Sequence, residues 1–420
     1  MANALLSPKV YSNTFLHMLK NSVVLPKLVT TEFKDEFKKV GSTVYAKRTP
    51  EFTVRDGAVA SVQDVVEGEI AITIDKQKGV DVEFTSVEET LTVDALLKSK
   101  TMKSAAAQLA QQIDSDLHAV TKKFYSWVGT PGQLINSYAD LAKGPQRLDE
   151  MAVETDNRVG ILHPGDAWAM LGSLSALTAQ TKEATDALTR ARLPMMGGID
   201  WYATQNAASV TTGTRSGNAT VNGADQNVTY ASVKDGNWVQ DLILASVGNS
   251  TTVKAGEVFT IADVYAINPR SKTRMSYLQQ FTVISDVTAN GSGAATVSIS
   301  PPIISSGAFQ TVSCAGTSST APDTGAAVQW MGSDTEADTD ATTYNFGTIF
   351  RPEAIALVSA KLIMPYTGEA SYSTDPDTGI SVRYWRSSDS TNDTHMHRFD
   401  VLYGVKCVDP RRGTRISGTA

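Results

Sequence analysis

Residues Glu69 to Phe84 alternate apolar and polar side chains in two short runs, and a long amphipathic pattern follows them. The apolar positions are Ile70, Ile72, Ile74, Val80, Val82 and Phe84. A period of two places these side chains on one face of a β-ribbon, with its turn predicted at Lys76 to Gly79. Because an isolated two-stranded hairpin is marginally stable in water, this face is predicted to lie on another surface, either distant in sequence or on a neighbouring chain. The pattern favours assembly, and these six residues are the candidate inter-subunit contacts.

A long amphipathic helix is predicted between Asp94, its N-cap, and Gly129, its stop. Apolar residues recur three and four positions apart at Met102, Ala106, Leu109, Ile113, Leu117, Val120, Phe124 and Trp127. The core stripe is predicted to be Leu109, Ile113, Leu117 and Val120. Asp114 and Lys122 fall on the predicted polar side. At about 1.5 Å per residue the helix would be about 50 Å long, which predicts a structural strut rather than a helix of one small domain.

Composition excludes several classes of protein. The chain has 420 residues, 41% of them hydrophobic and 19% charged, which indicates a folded, multi-domain chain. Its formal net charge of -7 argues against a reader of nucleic-acid sequence, although it is compatible with passive apposition to DNA. There is no basic segment followed by an apolar core at the start and no run of about 18 apolar residues, so we expect a cytoplasmic origin and no membrane partner. Cys314 and Cys407 are expected to be reduced and packed.

The amino-acid composition of the chain changes near Asn206. From there to about Thr343 it is rich in Ser, Thr, Ala, Gly and Val and carries six Lys or Arg residues. Short alternating runs such as Val258 to Ile261 and Phe281 to Ile284 are separated by Gly, Asn and Pro clusters, which is typical of a small β-barrel or sandwich. Mixed helix and strand patterns lie on both sides of it. The economical interpretation is a β domain inserted into a split α+β domain.

Patterns for catalysis or metal binding are weak. The sequence lacks GxxxxGK[ST], HExxH, GxSxG and GxGxxG, so the common phosphate, zinc-hydrolase, nucleophile-elbow and dinucleotide motifs are absent from it. His395 and His397 share one strand face, but two ligands do not make a metal site. The acidic run from Asp334 to Asp340 lacks the glycine and the terminal Glu of an EF-hand, which favours a solvated linker. We therefore expect no catalysis and no cofactor.

Four strings occur in an order that resembles a known family: Arg158 to Pro164, Ile267 to Val283, Asn345 to Val358 and Arg398 to Ile416. Together with an extended N-terminal arm, a hairpin and a long helix, they resemble the Hong Kong 97 fold of tailed-bacteriophage major capsid proteins. The second string is similar to part of the insertion domain in the podovirus coat-protein subgroup typified by a Salmonella phage. The resemblance is one of pattern and order over nearly the whole chain.

The resemblance implies an α+β chain with a defined domain order. Its segments are 1–44 as N-terminal arm, 45–92 as E-loop hairpin with flanking strands, 93–129 as spine helix of the peripheral domain, 130–205 as first part of the axial domain, 206–342 as β-rich insertion domain, 343–380 as second part of the axial domain, and 381–420 as C-terminal strands of the peripheral domain. The E-loop would reach over a neighbouring subunit. Some capsids of this fold join neighbours through a Lys to Asn bond, and Lys76 and Lys78 lie at the predicted loop tip. Since the sequence identifies neither the Asn nor an activating Glu, a solubilising turn is expected there.

The function implied is that of a major capsid protein. Such a chain would self-assemble as hexamers and pentamers into an icosahedral shell around double-stranded DNA, in the cytoplasm of a host bacterium. Its implied partners are other copies of itself, scaffolding and portal proteins, and packaged DNA in non-specific apposition. Two alternatives from other classes stay open at this point: an adhesion protein, suggested by the Thr- and Ser-rich β segment, and a hydrolase with dispersed carboxylates. Particle mass separates them, because only a coat protein forms a shell of many copies.

Overall fold

The computed structural model describes residues 8–31, 43–48, 50–55, 57–60, 62–87, 100–177, 195–235, 238–332 and 341–419. The predicted N-cap Asp94 and the acidic run from Asp334 to Asp340 lie outside these residues. The chain divides into two compact units. Unit 1 comprises residues 1–45, 71–120 and 355–406, and unit 2 comprises residues 46–70, 121–354 and 407–420.

The elements follow in chain order. The helices are α1 (Pro8–Ser22), α2 (Lys100–Val120), α3 (Tyr138–Glu150), α4 (Pro164–Leu177) and α5 (Tyr230–Val233). The first strands are β1 (Thr43–Lys47), β2 (Glu69–Thr73), β3 (Lys76–Thr85), β4 (Ser126–Val128), β5 (Val159–Leu162), β6 (Asp200–Ala203), β7 (Ser209–Thr211) and β8 (Thr220–Val221). The next are β9 (Gln240–Ala245), β10 (Thr252–Val253), β11 (Val258–Ile267), β12 (Arg274–Val283), β13 (Val287–Thr288), β14 (Ala295–Ser300), β15 (Val312–Cys314) and β16 (Val328–Trp330). The last are β17 (Thr343–Asn345), β18 (Gly347–Phe350), β19 (Ile355–Ala360), β20 (Glu369–Thr374), β21 (Ser381–Asp389), β22 (Thr394–Cys407) and β23 (Gly413–Ile416).

Unit 1 packs two helices against an antiparallel sheet. The strand order is β19-β22-β21-β20, and β3 pairs with the first part of the long strand β22. Helix α1 lies against α2 and against β20 and β21. The ring of Phe15 on α1 stacks on that of Phe399 on β22 at 4.1 Å between centroids. Buried aromatic contacts of this kind join helix and sheet in one core.

The two alternating runs of the sequence do not form the predicted hairpin. Strand β3 pairs with β22 along its whole length, from Lys76 opposite Tyr403 to Thr85 opposite Thr394. Strand β2 pairs with β1 instead. The predicted turn, Lys76 to Gly79, therefore lies inside β3. Alternation identifies a strand and its apolar face, but the partner strand is chosen by contacts with residues far along the chain.

The long helix ends before its predicted stop, Gly129. Helix α2 ends at Val120, and a 3₁₀ turn and strand β4 follow it. Trp127 thus lies on β4, where its ring packs 5.3 Å from that of Phe346. The apolar spacing continued past the helix because Phe124 and Trp127 are buried beyond its end, Trp127 in a strand. Asp114, predicted on the polar side, is buried, and its carboxylate accepts a hydrogen bond from the Val24 N–H at 3.2 Å.

A five-stranded sheet in unit 2 has the strand order β4-β23-β18-β5-β6. The outer pairs β4–β23 and β5–β6 are parallel, and the central pairs are antiparallel. Leu141 and Leu148 of α3 pack with Ile349 and Ile416 of the sheet. Gly144 permits this approach, because a Cβ there would lie 2.4 Å from Ile349 Cδ1.

The Ser- and Thr-rich segment forms a second sheet in unit 2, in which β8, β9, β14, β12, β11 and β16 pair successively. The Val221 N–H donates to the Ala326 carbonyl at 2.9 Å, and the Val328 N–H donates to the Ala219 carbonyl at 2.9 Å, so the last strand returns to the first. Its interior is one apolar cluster that includes Phe259 and Phe281. Strands β7 and β17 pair beside it, and the chain therefore enters and leaves the segment side by side.

Two predicted boundaries differ from the division into units. Residues 355–380 were expected with the axial segments but belong to unit 1, because β20 pairs with β21. Residues 407–420 were expected with the peripheral strands but belong to unit 2, because β23 pairs with β18 and β4. The β-rich segment is part of the same compact unit as residues 121–205. Its status as a separate domain stays a prediction.

Candidate functional site

The six residues predicted to contact a neighbouring subunit are largely used within the chain. Ile70 and Ile72 are 1% and 0% exposed. The other four, Ile74, Val80, Val82 and Phe84, are half-buried. The Phe84 ring meets the edge of the His397 ring on β22 at 5.6 Å. The surface that the ribbon was predicted to need is thus supplied mainly by the same chain, and Ile70 and Ile72 present no surface to a neighbour.

A different segment carries exposed apolar side chains. Residues 50–67 of unit 2, called the strap below, lie between β1 and β2. Phe52 is 54% exposed, Val54 98%, Val59 85%, Val62 93% and Val65 61%. Scattered single apolar residues are ordinary on a protein surface, but five within so short a segment form a candidate contact surface.

Internal hydrogen bonds hold the described part of the strap folded back on itself. The Gln63 side-chain oxygen accepts from the Thr53 N–H at 2.9 Å and from its hydroxyl at 3.0 Å. The Arg55 guanidinium donates to the Val59 carbonyl at 2.9 Å. These bonds leave the valine side chains outside, where they contact solvent.

The base of the strap, in contrast, lies among charged and aromatic groups of unit 2. The Arg48 N–H donates to the Gly68 carbonyl at 2.8 Å, which joins the two ends. The Glu51 carboxylate pairs with Lys272 at 3.0 Å and with Arg411. The Arg48 guanidinium lies 4.0 Å from the centre of the Trp238 ring. Burial lowers the pKa of Arg48 to about 10, so it stays charged at neutral pH.

Sequence reasoning missed the strap. The spacing of its apolar residues changes from two between Phe52 and Val54 to three and four between Val59, Val62 and Val66, so neither run is long enough to predict an amphipathic element. The available signal was the composition: valines scattered among Gly, Ala, Ser and Asp without a sustained period.

Three other residues considered for cross-linking or metal binding, Lys76, His395 and His397, have ordinary partners within the chain. Lys76 lies within β3 and pairs with Asp116 at 3.2 Å, so it is not at a loop tip. The Tyr384 hydroxyl hydrogen-bonds His397 Nδ1 at 2.8 Å, and Arg386 donates to His395 Nδ1 at 3.2 Å. Within the described residues, no group of three or more His, Cys, Asp or Glu side chains is placed to hold a metal ion.

The cysteines and helices add little chemistry. Cys314 and Cys407 are free thiols, and both are buried. Burial raises the pKa of Cys314 to about 11, so it is protonated at neutral pH. Each helix in the described part of the chain is too short or too polar to cross a membrane.

The buried face of α2 contains two titratable groups beside its apolar stripe. Leu109, Ile113, Leu117 and Val120 are all buried, and so are Asp114 and His118. Burial raises the pKa of Asp114 to about 6 and lowers the pKa of His118 to about 4. Both shifts favour the neutral form, as expected for groups removed from water.

The family model described as P22 coat protein, gene protein 5, matches residues 36–418. The chain belongs to the P22 coat protein family. This coat protein is similar to the major capsid protein of Acyrthosiphon pisum secondary endosymbiont phage 1, with 25% identity over 354 residues that cover 81% of this chain and 79% of the relative. The prediction of a tailed-phage major capsid protein is confirmed, and the protein is a component of a phage virion.

Two solved structures are distantly similar to this coat protein. One, from Mycobacterium phage Che8, has 11% identity and a TM-score of 0.47, with 99% of this chain and 93% of that chain covered. The other, the capsid structure of the cyanophage P-SCSP1u, has 9% identity and a TM-score of 0.43, with 100% and 91% covered. Family membership supports the capsid function rather than adhesion.

Proposed function

We propose that this coat protein forms hexamers and pentamers in its icosahedral shell, and that the strap lies on a neighbouring subunit. The observation that supports the strap contact is the set of exposed apolar side chains on residues 50–67, from Phe52 to Val65. Apolar surface removed from water stabilises an assembly by about 25 cal/mol per Å², and the same contact recurs at every equivalent position of a symmetric shell.

The proposed contact surface is therefore the strap, residues 50–67, and not the alternating residues from Ile70 to Phe84 that the sequence predicted. Val80, Val82 and Phe84 keep a partly open face and stay candidates for a secondary contact. Ile70 and Ile72 are assigned to the core of the subunit. The inserted β segment, residues 206–342, is proposed as a separate domain of this coat protein.

The partners proposed are those that a shell requires. Scaffolding and portal proteins would direct assembly in the host bacterial cytoplasm, and double-stranded DNA would lie against the inside without sequence-specific contacts. A net charge of -7 is consistent with apposition rather than tight binding to DNA. We expect a structural role without catalysis.

The test replaces exposed valines in the strap. Val54→Asp with Val62→Asp should leave the subunit folded, because both side chains are exposed, and should prevent shell closure. The matched control, Val54→Ile with Val62→Ile, keeps the apolar surface and should form shells. Sedimentation and negative-stain microscopy measure the product, and circular dichroism measures the fold. Normal shells from the aspartate variant would show that the strap is not an inter-subunit contact.

A further inference from the structure

We infer that Glu51 and Lys272 are positioning residues for the strap: an ion-pair clamp fixes its base to the β-rich segment so that its tip is presented in one orientation. The inference rests on the proposed function, since it concerns how the strap reaches a neighbour. It also gives the β-rich segment a role in assembly within its own subunit.

Glu51 is the centre of the clamp. It lies at the start of the strap, and its two carboxylate oxygens meet different parts of unit 2. Oε2 pairs at 3.0 Å with Lys272, on the turn between β11 and β12, and Oε1 pairs with Arg411, on the 3₁₀ turn before β23. All three side chains are about four-fifths buried, with exposed fractions of 21%, 17% and 18%. Partly buried, charge-assisted pairs hold geometry better than exposed ones.

One cation of the clamp, Arg411, is held by further contacts. Arg411 also donates from Nε to Asp409 at 3.0 Å, and its guanidinium lies 5.0 Å from the Trp238 ring centre. Burial alone would lower the pKa of Arg411, but Asp409 and Glu51 raise it above its ordinary value. Arg48, two residues before the strap, lies on the same Trp238 ring. The first end of the strap is thereby fixed at two points.

The tip of the strap has contacts of another kind. The hydrogen bonds described for Thr53, Arg55 and Gln63 join residues of the strap to one another, so these bonds do not fix its orientation relative to the rest of unit 2. Its direction is consequently set at the base. A segment held in its bound orientation loses less conformational entropy when it docks, which speeds and strengthens assembly without a new contact between subunits.

The β11–β12 turn offers a matched control. Arg270 lies two residues before Lys272 and pairs at 3.2 Å with Glu154, which is outside the strap. Glu51→Ala removes both ion pairs of the clamp and Lys272→Ala removes the one to the β-rich segment, whereas Arg270→Ala removes a cation and an ion pair from the same turn and leaves the clamp intact.

Trypsin cleavage after the exposed Arg55 reports the freedom of the strap in unassembled subunits. With the clamp removed, we expect cleavage to become about tenfold faster, the effect of losing about 1.4 kcal/mol from a local opening equilibrium. Light scattering should show slower shell assembly for Lys272→Ala and Glu51→Ala, with urea unfolding midpoints equal to that of the wild type. Added NaCl should accelerate cleavage of the wild type and not of the clamp variants, and Arg270→Ala should match the wild type in each measurement.

Unchanged cleavage in both clamp variants would overturn the clamp. Faster cleavage with normal assembly would overturn its positioning role, as would a fall in the urea midpoint that accounts for the assembly defect. If the Val54→Asp, Val62→Asp variant forms normal shells, the proposed strap contact fails instead, and the cleavage rates still decide whether the clamp exists.

Discussion

At the scale of single residues, the buried charges show what the core of this protein tolerates. Arg415 is fully buried, and its guanidinium donates to the carbonyls of Gly256 and Lys122 and to the Thr282 hydroxyl. Its charge also lies 5.3 Å from the centre of the Trp127 ring. Burial lowers the pKa of Arg415 to about 9, which leaves it protonated at neutral pH. The side chain joins β23 to the β-rich segment by hydrogen bonds to the Gly256 carbonyl and the Thr282 hydroxyl.

Asp114 and His118 lead to a prediction about pH. The folded-state pKa of Asp114 is raised from 3.8 to about 6, so its contribution to stability falls as pH rises through that window. The pKa of His118 is lowered from 6.5 to about 4, so its contribution rises as pH rises from about 4 to about 6.5. The two nearly cancel in the wild type. Asp114→Asn should leave the histidine effect alone, with unfolding free energy rising by about 1.4 kcal/mol per pH unit in this window.

Urea unfolding of the subunit between pH 4 and pH 7 measures this slope, with the pH range set by the two shifted groups. His118→Gln should produce the opposite slope between about pH 4 and about pH 6. Equal pH profiles for the wild type and both variants would mean that these side chains are not buried as described.

At the scale of elements, α2 has a buried apolar face, and its C-terminal end lies before the predicted stop. Its stripe lies against α1 and β19 in unit 1, whereas the aromatic residues that extended the pattern belong to unit 2. The helix therefore stabilises unit 1 through its buried face, and the chain continues into unit 2 directly after it. Asp116 adds a polar contact, since it accepts from the Tyr403 hydroxyl at 2.6 Å on β22.

Ile113→Ala tests the helix. Ile113 is 1% exposed, so its truncation should lower the unfolding free energy by about 2 to 5 kcal/mol through lost burial and the cavity left behind. Lys103 is exposed on the same helix, and Lys103→Ala should change stability by less than about 0.5 kcal/mol. Urea unfolding of unassembled subunits compares the two. An Ile113→Ala midpoint equal to that of the wild type would remove α2 from the core.

At the scale of the whole molecule, the chain crosses repeatedly between two units, and the β-rich segment is bracketed by a pair of strands. The Arg215–Glu257 ion pair and the apolar cluster around Phe259 lie entirely within that segment. The hydrogen bonds that return β16 to β8 are also internal to it. A core and a strand set that close on themselves are what an inserted domain needs.

We therefore predict that residues 206–343 fold alone as a β-rich monomer. Its NMR amide signals should be dispersed as in a folded sheet, and Phe259→Ala should collapse them, because that side chain is fully buried. Amide signals confined to the random-coil region for the unsubstituted fragment would show that the segment depends on the rest of unit 2.

What could be predicted from the sequence was the local character of each stretch. Period-two alternation predicted the strands around Ile72 and Val82, the spacing of Leu109, Ile113 and Leu117 predicted a buried helical face, and the short alternating runs of the Ser- and Thr-rich stretch after Asn206 predicted a β-rich segment. These signals are local, because the side-chain directions of a helix or strand follow from its own geometry. The string order also pointed to the coat-protein family, which the family match confirmed.

Only the tertiary structure decided which strand β3 pairs with, where Asp114 and Arg415 find hydrogen-bond partners, and which apolar residues stay outside. Each of these depends on residues distant in sequence: β22 lies beside β3, the Val24 N–H lies beside Asp114, and Gly256 lies beside Arg415. An apolar side chain carries no sign of whether its partner is in the same chain or the next. The same preference for burial places Ile72 in the core and leaves Val54 exposed, because folding supplied a partner surface to one and not to the other.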